Sequence, residues 1–126
     1  LWRMYPDVGH AESPGAALIP ELQHALASVP SSVKVFDAKL NYSCFYGTKL
    51  GGILEARGVE QVFLTGINTD VCVFATALDA FYRGYDVRIV AEAVGAVSGA
   101  SANRDALRQA RVLFGDDSVV SAAELG

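Results

Sequence analysis

Cys72 follows the apolar run Val62-Phe63-Leu64 and the turn Gly66-Ile67-Asn68-Thr69, at the start of a helix expected from about Asp70 to Arg83. In a first helical turn, unpaired N–H groups and the positive end of the helix favour a thiolate over a thiol, so this position activates sulfur. The backbone N–H groups around Asn68 and Cys72 could hold the charge that develops when a thiolate attacks a carbonyl, forming an oxyanion hole. Lys39 follows a second expected strand, and a cation there would assist the thiolate and hold a carbonyl oxygen. Each residue also has a plainer reading. Cysteine commonly packs as a small apolar residue, a lone lysine usually sits on the surface, and the turn could simply join a strand to a capped helix. Cys44 is a second thiol, in a loop without a helix N-terminus, and reads as a pocket or packing residue.

These residues gain meaning from the elements that must carry them. Leu18, Ile19, Leu22, Ala25 and Leu26 give a helix over Ala16 to Ala27, interrupted by Pro20. Val33-Lys34-Val35-Phe36 reads as a short strand, and the loop from Lys39 to Gly47 follows it. Thr48 is placed to cap a helix through Leu50, Ile53 and Leu54 that ends at Arg57-Gly58. Val62 to Leu64 is a strand, and the Asp70 to Arg83 helix closes at Gly84. Val87 to Ala91 is another strand, Ser101 to Leu113 a helix and Ser118 to Ser121 a last strand. Alternating strands and helices need crossovers, which predicts an α/β fold with a mostly parallel sheet and helices on both faces. Ligands bind beyond the carboxyl ends of such strands, where the loops Lys39 to Thr48 and Gly66 to Cys72 both fall.

Bulk properties narrow the function. The chain has 126 residues, 52% hydrophobic, which fits one globular domain over 1–126. Ten basic and 14 acidic residues give a net charge of −4 without a basic patch, so nucleic acid is not expected as a partner. No apolar run reaches the roughly 18 residues that span a bilayer, and the N-terminus has no signal-peptide layout, so no membrane is expected either. Two cysteines make no disulfide framework, and the expectation is a cytoplasmic protein.

The segment Lys39-Leu40-Asn41-Tyr42-Ser43-Cys44-Phe45-Tyr46-Gly47-Thr48-Lys49-Leu50 resembles the lysine loop of the isochorismatase-like hydrolases. Thr65-Gly66-Ile67-Asn68-Thr69-Asp70-Val71-Cys72-Val73, with Ala75 to Ala80 and Gly84-Tyr85, is similar to that superfamily's strand, turn and helix around the nucleophile. Ala91-Glu92-Ala93 and Leu113-Phe114-Gly115 extend the likeness. It implies a three-layer α/β/α Rossmann-like sheet and an Asp–Lys–Cys triad in which Cys72 and Lys39 take two places. It also implies a cis peptide between Ile67 and Asn68, and activity on small amides or carbamoyl compounds, as in nicotinamidases and N-carbamoylsarcosine amidases. The triad Asp would end an apolar strand well upstream of Leu1. Asp7 and Asp37 have no such context, so the expectation is the C-terminal portion of one domain, incomplete at its N-terminus.

Tyr42, Phe45 and Asn68 are expected to line the substrate pocket. The family's metal motif of one Asp and two His has no counterpart at His10 or His24, so neither metal nor other cofactor is expected. Glu92 stands where an Asp is common. The Asp70 to Arg83 helix carries one apolar stripe of Val71, Phe74, Ala75, Leu78 and Tyr82 and another of Val73, Ala77 and Ala80. One sheet face cannot cover both, which suggests a homo-oligomer or a further helix. The leading expectation is a cysteine-dependent C–N hydrolase acting through an acyl-thioester on Cys72. The alternative is a catalytically inactive binding or scaffold domain of the same fold.

Overall fold

The computed structural model describes residues 17–28 and 39–125, which fall in two units, Leu1–Asp37 and Ala38–Gly126. In the first unit, helix α1 spans Pro20–Ala27. The expected helix began at Ala16; it starts four residues later because Pro20 sits at its first turn and Ile19 before it is extended. The strand expected at Val33 to Phe36, and Asp7, His10 and Asp37, lie outside the described residues.

The second unit runs α2 (Leu50–Ala56), β1 (Gln61–Ile67), a π-helical turn (Thr69–Val73), α3 (Phe74–Tyr82), β2 (Asp86–Gly95), α4 (Ala100–Phe114) and β3 (Val119–Val120). Among the described residues the sheet is parallel, in the order β1-β2-β3. Val62 pairs with Val87, Leu64 with Ile89, and Ile89 with Val119. With strands in sequential order, right-handed crossovers bring α3 and α4 to the same face. Phe114 of α4 accordingly meets Phe81 and Phe74 of α3, at ring-centroid distances of 5.3 and 5.9 Å.

The core between these helices and the sheet is built from Val73, Ala77, Ala80, Val87, Ile89, Ala110 and Val119, with Phe45 from the loop. Ala77, Ala80 and Ala110 are fully buried, and their small side chains let helix and strand approach closely. Of the two stripes read on this helix, the small one faces the sheet. Phe74 meets α4, while Tyr82 is 80% exposed. On β1, Val62 and Leu64 pack against the core, and Phe63, on the opposite face, is 46% exposed.

Two further changes from the expected boundaries bear on the site. The single helix from Asp70 to Arg83 is a π-helical turn followed by α3, because the Asn68 carbonyl accepts N–H bonds from Val71 and Val73, and the Thr69 carbonyl accepts one from Phe74. Strand β2 runs on to Gly95, beyond the expected end at Ala91, since Val94 and Gly95 pair with Gly66 and Ile67 of β1. No helix among the described residues is long and apolar enough to cross a membrane.

Candidate active site

The carboxyl end of β1 delivers the chain to the turn that holds Cys72. Gly66 has φ of +111°, a backbone region that L side chains rarely adopt, and the Ile67–Asn68 peptide bond is cis. Asn68 then makes three bonds. Its carbonyl accepts the N–H groups of Val71 (3.1 Å) and Val73 (3.0 Å), and its side-chain oxygen accepts the Val97 N–H at 3.0 Å. The carbonyl thus bonds the residues on either side of Cys72 and passes over Cys72 itself. Because the side chain meets a backbone donor, its oxygen is the atom that faces Val97. That oxygen is bonded to the loop after β2.

Thr69 opens the π-helical turn at 1% exposure, and its hydroxyl donates to the Asn103 side-chain oxygen on α4 at 2.5 Å. Cys72, three residues on, is a half-buried free thiol. Thr76 lies one helical turn further along. Its hydroxyl donates to the Cys72 carbonyl at 2.7 Å and accepts the Cys44 N–H at 3.1 Å. The two loops that the sequence singled out are therefore joined through one buried threonine.

Lys39 is exposed at the start of its loop, five residues before that junction. Tyr42 is half-buried and Ser43 buried. Ser43 Oγ accepts the Phe45 N–H at 3.1 Å, and Thr48 donates to the Cys44 carbonyl at 2.5 Å and accepts the Leu50 N–H at 3.2 Å. The N-cap of α2 is Lys49, without a side-chain cap bond, so Thr48 stands one residue before the expected capping position, although its hydroxyl accepts the first helical N–H. Phe45 is 5% exposed, stacked on Tyr85 at 5.9 Å, with the Arg83 guanidinium 4.9 Å from its ring centre. Its ring packs with the core cluster. A cleft of about 520 Å³ does exist, but at the opposite strand ends, between α2 and Arg83, Gly84 and Tyr85. It is remote from the carboxyl ends of the strands, where the chemistry of such sheets is placed.

Among the described residues no group of three or more His, Cys, Asp or Glu side chains gathers to hold a metal; His24 is exposed on α1. Glu92, near the end of β2, accepts the Ala122 N–H at 2.9 Å and the Ser121 hydroxyl at 2.8 Å. These two bonds, the Ala122 one foremost, hold its carboxyl below the usual glutamate range. Thr69, Thr76 and Asn103 were not singled out in the sequence. For Thr76 a signal existed: a polar residue four positions after Cys72, within the apolar stretch Val71 to Leu78.

A parallel sheet packed against helices, with a half-buried cysteine in the turn after β1, defines the class of the fold as α/β. The Isochorismatase domain matches residues 3–123, and the chain belongs to that family. It is 39% identical over 98 residues to ureidoacrylate amidohydrolase RutB of Methylobacterium radiotolerans, a match covering 78% of this chain and 38% of that protein. Among solved structures, nicotinamidase PncA of Bacillus subtilis superposes with a TM-score of 0.84 at 28% identity, over 94% of this chain and 65% of that one. N-carbamoylsarcosine amidase of Thermoplasma acidophilum superposes with a TM-score of 0.71 at 29% identity, over 95% and 63%. The chain spans about two fifths of the length of the curated relatives it matches first, 38% of one and 41% of the next.

Proposed function

We propose that the whole protein is a cysteine-dependent hydrolase that cleaves C–N bonds in small amides or carbamoyl compounds. The observation that carries this reading is the seat of Cys72, in a first helical turn whose preceding carbonyl bonds Val71 and Val73 and leaves the Cys72 N–H aside. In the reaction, the Cys72 thiolate attacks the substrate carbonyl carbon, and the carbonyl π electrons move to oxygen. Backbone N–H groups of Asn68 and Cys72 hold that oxyanion, and Lys39 supplies positive charge beside the loop. Collapse breaks the C–N bond and leaves an acyl-thioester on Cys72, with the proton from the thiol going to the departing amine. Water then attacks the thioester, releasing the acid and restoring the thiol.

The residue that moves the proton is the family's Asp, which the reading places upstream of Leu1 in the same domain. Such acid–base transfer contributes on the order of 10²–10⁴ in rate. The names of the relatives, amidohydrolases and amidases acting on small molecules, support the substrate class. The reading includes a cytoplasmic location and a homo-oligomer. Phe81 and Tyr82, 45% and 80% exposed, support the second, and sedimentation of the whole protein tests it.

The test is turnover by the whole protein against a panel of small primary amides and carbamoyl compounds, read as ammonia release. Cys72→Ala is expected to abolish it and Lys39→Ala to lower it by at least tenfold. A folded protein that turns over none of the panel, or a Cys72→Ala variant with full activity, overturns the reading. The first of these results would favour an inactive binding or scaffold domain.

A further inference from the structure

We propose that Thr69 and Asn103 form a positioning pair that holds the Cys72 turn in its π-helical form. The proposal rests on Cys72 being the nucleophile, and it assigns the two residues a role that acts through the backbone of the turn. The observations are the 2.5 Å bond from the Thr69 hydroxyl to the Asn103 side-chain oxygen and the 1% exposure of Thr69. Beside them, the Asn68 side-chain oxygen is bonded to the Val97 N–H at 3.0 Å. Two consecutive residues before Cys72 are thus anchored on the segment between β2 and the first turn of α4, across more than 25 positions of chain.

A π-helical turn is the less favoured geometry and persists where something outside the helix enforces it. An α-helix advances about 100° per residue, so relaxing the one-residue bulge would rotate the residues before α3 by roughly that angle relative to it. Cys72 lies inside the bulge. Relaxation would swing its Sγ away from its present direction and let the Asn68 carbonyl take the Cys72 N–H, the usual partner four residues on. Thr69 is the first residue of the turn, and Asn103 sits on a helix that is independently packed against α3 through Phe114. The pair therefore ties the bulge to a fixed neighbour.

The experiment uses the whole protein with Thr69→Val, Thr69→Ser, Asn103→Ala and Cys72→Ala. Two readouts are taken with melting temperature as the folding control: the pH profile of iodoacetamide alkylation at Cys72, and the split between kcat and KM for amide turnover. Thr69→Val and Asn103→Ala should slow Cys72 alkylation at neutral pH at least fivefold, displace its pH profile, and lower kcat at least tenfold with KM within threefold. Thr69→Ser should restore both. Asn103 is half-buried, so its variant carries the test if Thr69→Val fails to fold. A folded Asn103→Ala with the parent alkylation profile and kcat overturns the proposal, as does a Thr69→Ser as slow as Thr69→Val. Cys72→Ala separates the two readings. If it is active, the nucleophile assignment fails; if it is inactive while Asn103→Ala behaves as the parent, only the positioning pair fails.

Discussion

The Thr76 hydroxyl accepts the Cys44 N–H at 3.1 Å, fastening the lysine loop to the helix that carries Cys72. Thr76 is 5% exposed, so water cannot readily replace it. Thr76→Val keeps the shape but leaves the Cys44 N–H and the Cys72 carbonyl without this partner, and an orphaned group of this kind costs about 1–3 kcal/mol. Urea denaturation of the whole protein should show a loss in that range for Thr76→Val and less than half of it for Thr76→Ser. Equal losses for the two variants would mean that the methyl group matters and the hydroxyl does not.

Glu92 gives a pH dependence with a defined sign. Its carboxyl is held low by the Ala122 N–H first and the Ser121 hydroxyl second. A carboxyl lowered on folding stabilises the fold fully above its unfolded value, and the contribution disappears as pH falls through the lower folded value. The contact between β2 and the segment after β3 should therefore loosen in acid. Hydrogen exchange should show the protection of the Ala122 amide falling as Glu92 protonates. In Glu92→Gln the pH dependence should be gone, and a protection factor flat through the acid range in the parent would remove the assignment.

Small side chains decide how α3 sits on the sheet, which makes size the sensitive variable there. Ala80 is fully buried, whereas Tyr82, two residues on, is 80% exposed. Ala80→Leu adds volume to a filled site and should cost about 1–3 kcal/mol or more. Tyr82→Ala should change stability by no more than about 0.5 kcal/mol in the isolated protomer. Thermal melts of the two variants compare them directly, and a tolerated leucine would show that the helix lies further from the sheet.

What could be read from the sequence followed from local signals. Val62 to Leu64 is an apolar run and Val87 to Ala91 is rich in strand formers, and Gly58 and Gly84, with φ of +62° and +86°, close the helices before them. What escaped depends on partners far along the chain. The end of β2 at Gly95 is set by pairing with Ile67, although Glu92 and Ala93 carry no strand pattern of their own. The π-helical turn arises from the bonds that the Asn68 carbonyl accepts, and Thr69 meets Asn103 34 positions later. The stacking of Phe45 on Tyr85, 40 positions later, likewise has no local signal, because neighbours in space decide it.

The two free thiols offer the sharpest comparison within one molecule. Both are half-buried, so exposure alone does not separate them. Cys44 is fixed in its loop at both ends of its backbone, with its N–H on Thr76 and its carbonyl on the Thr48 hydroxyl. It has no helix start behind it. Cys72 stands in the helical turn before α3, where the positive end of a helix favours negative charge. Alkylation of the whole protein at neutral pH, stopped early and mapped by mass spectrometry, should find Cys72 modified before Cys44. Protecting Cys72 with a small amide that occupies the site should slow its labelling and leave that of Cys44 unchanged. Labelling of Cys44 first, with Cys72 inert in the folded protein, would take the nucleophile away from Cys72.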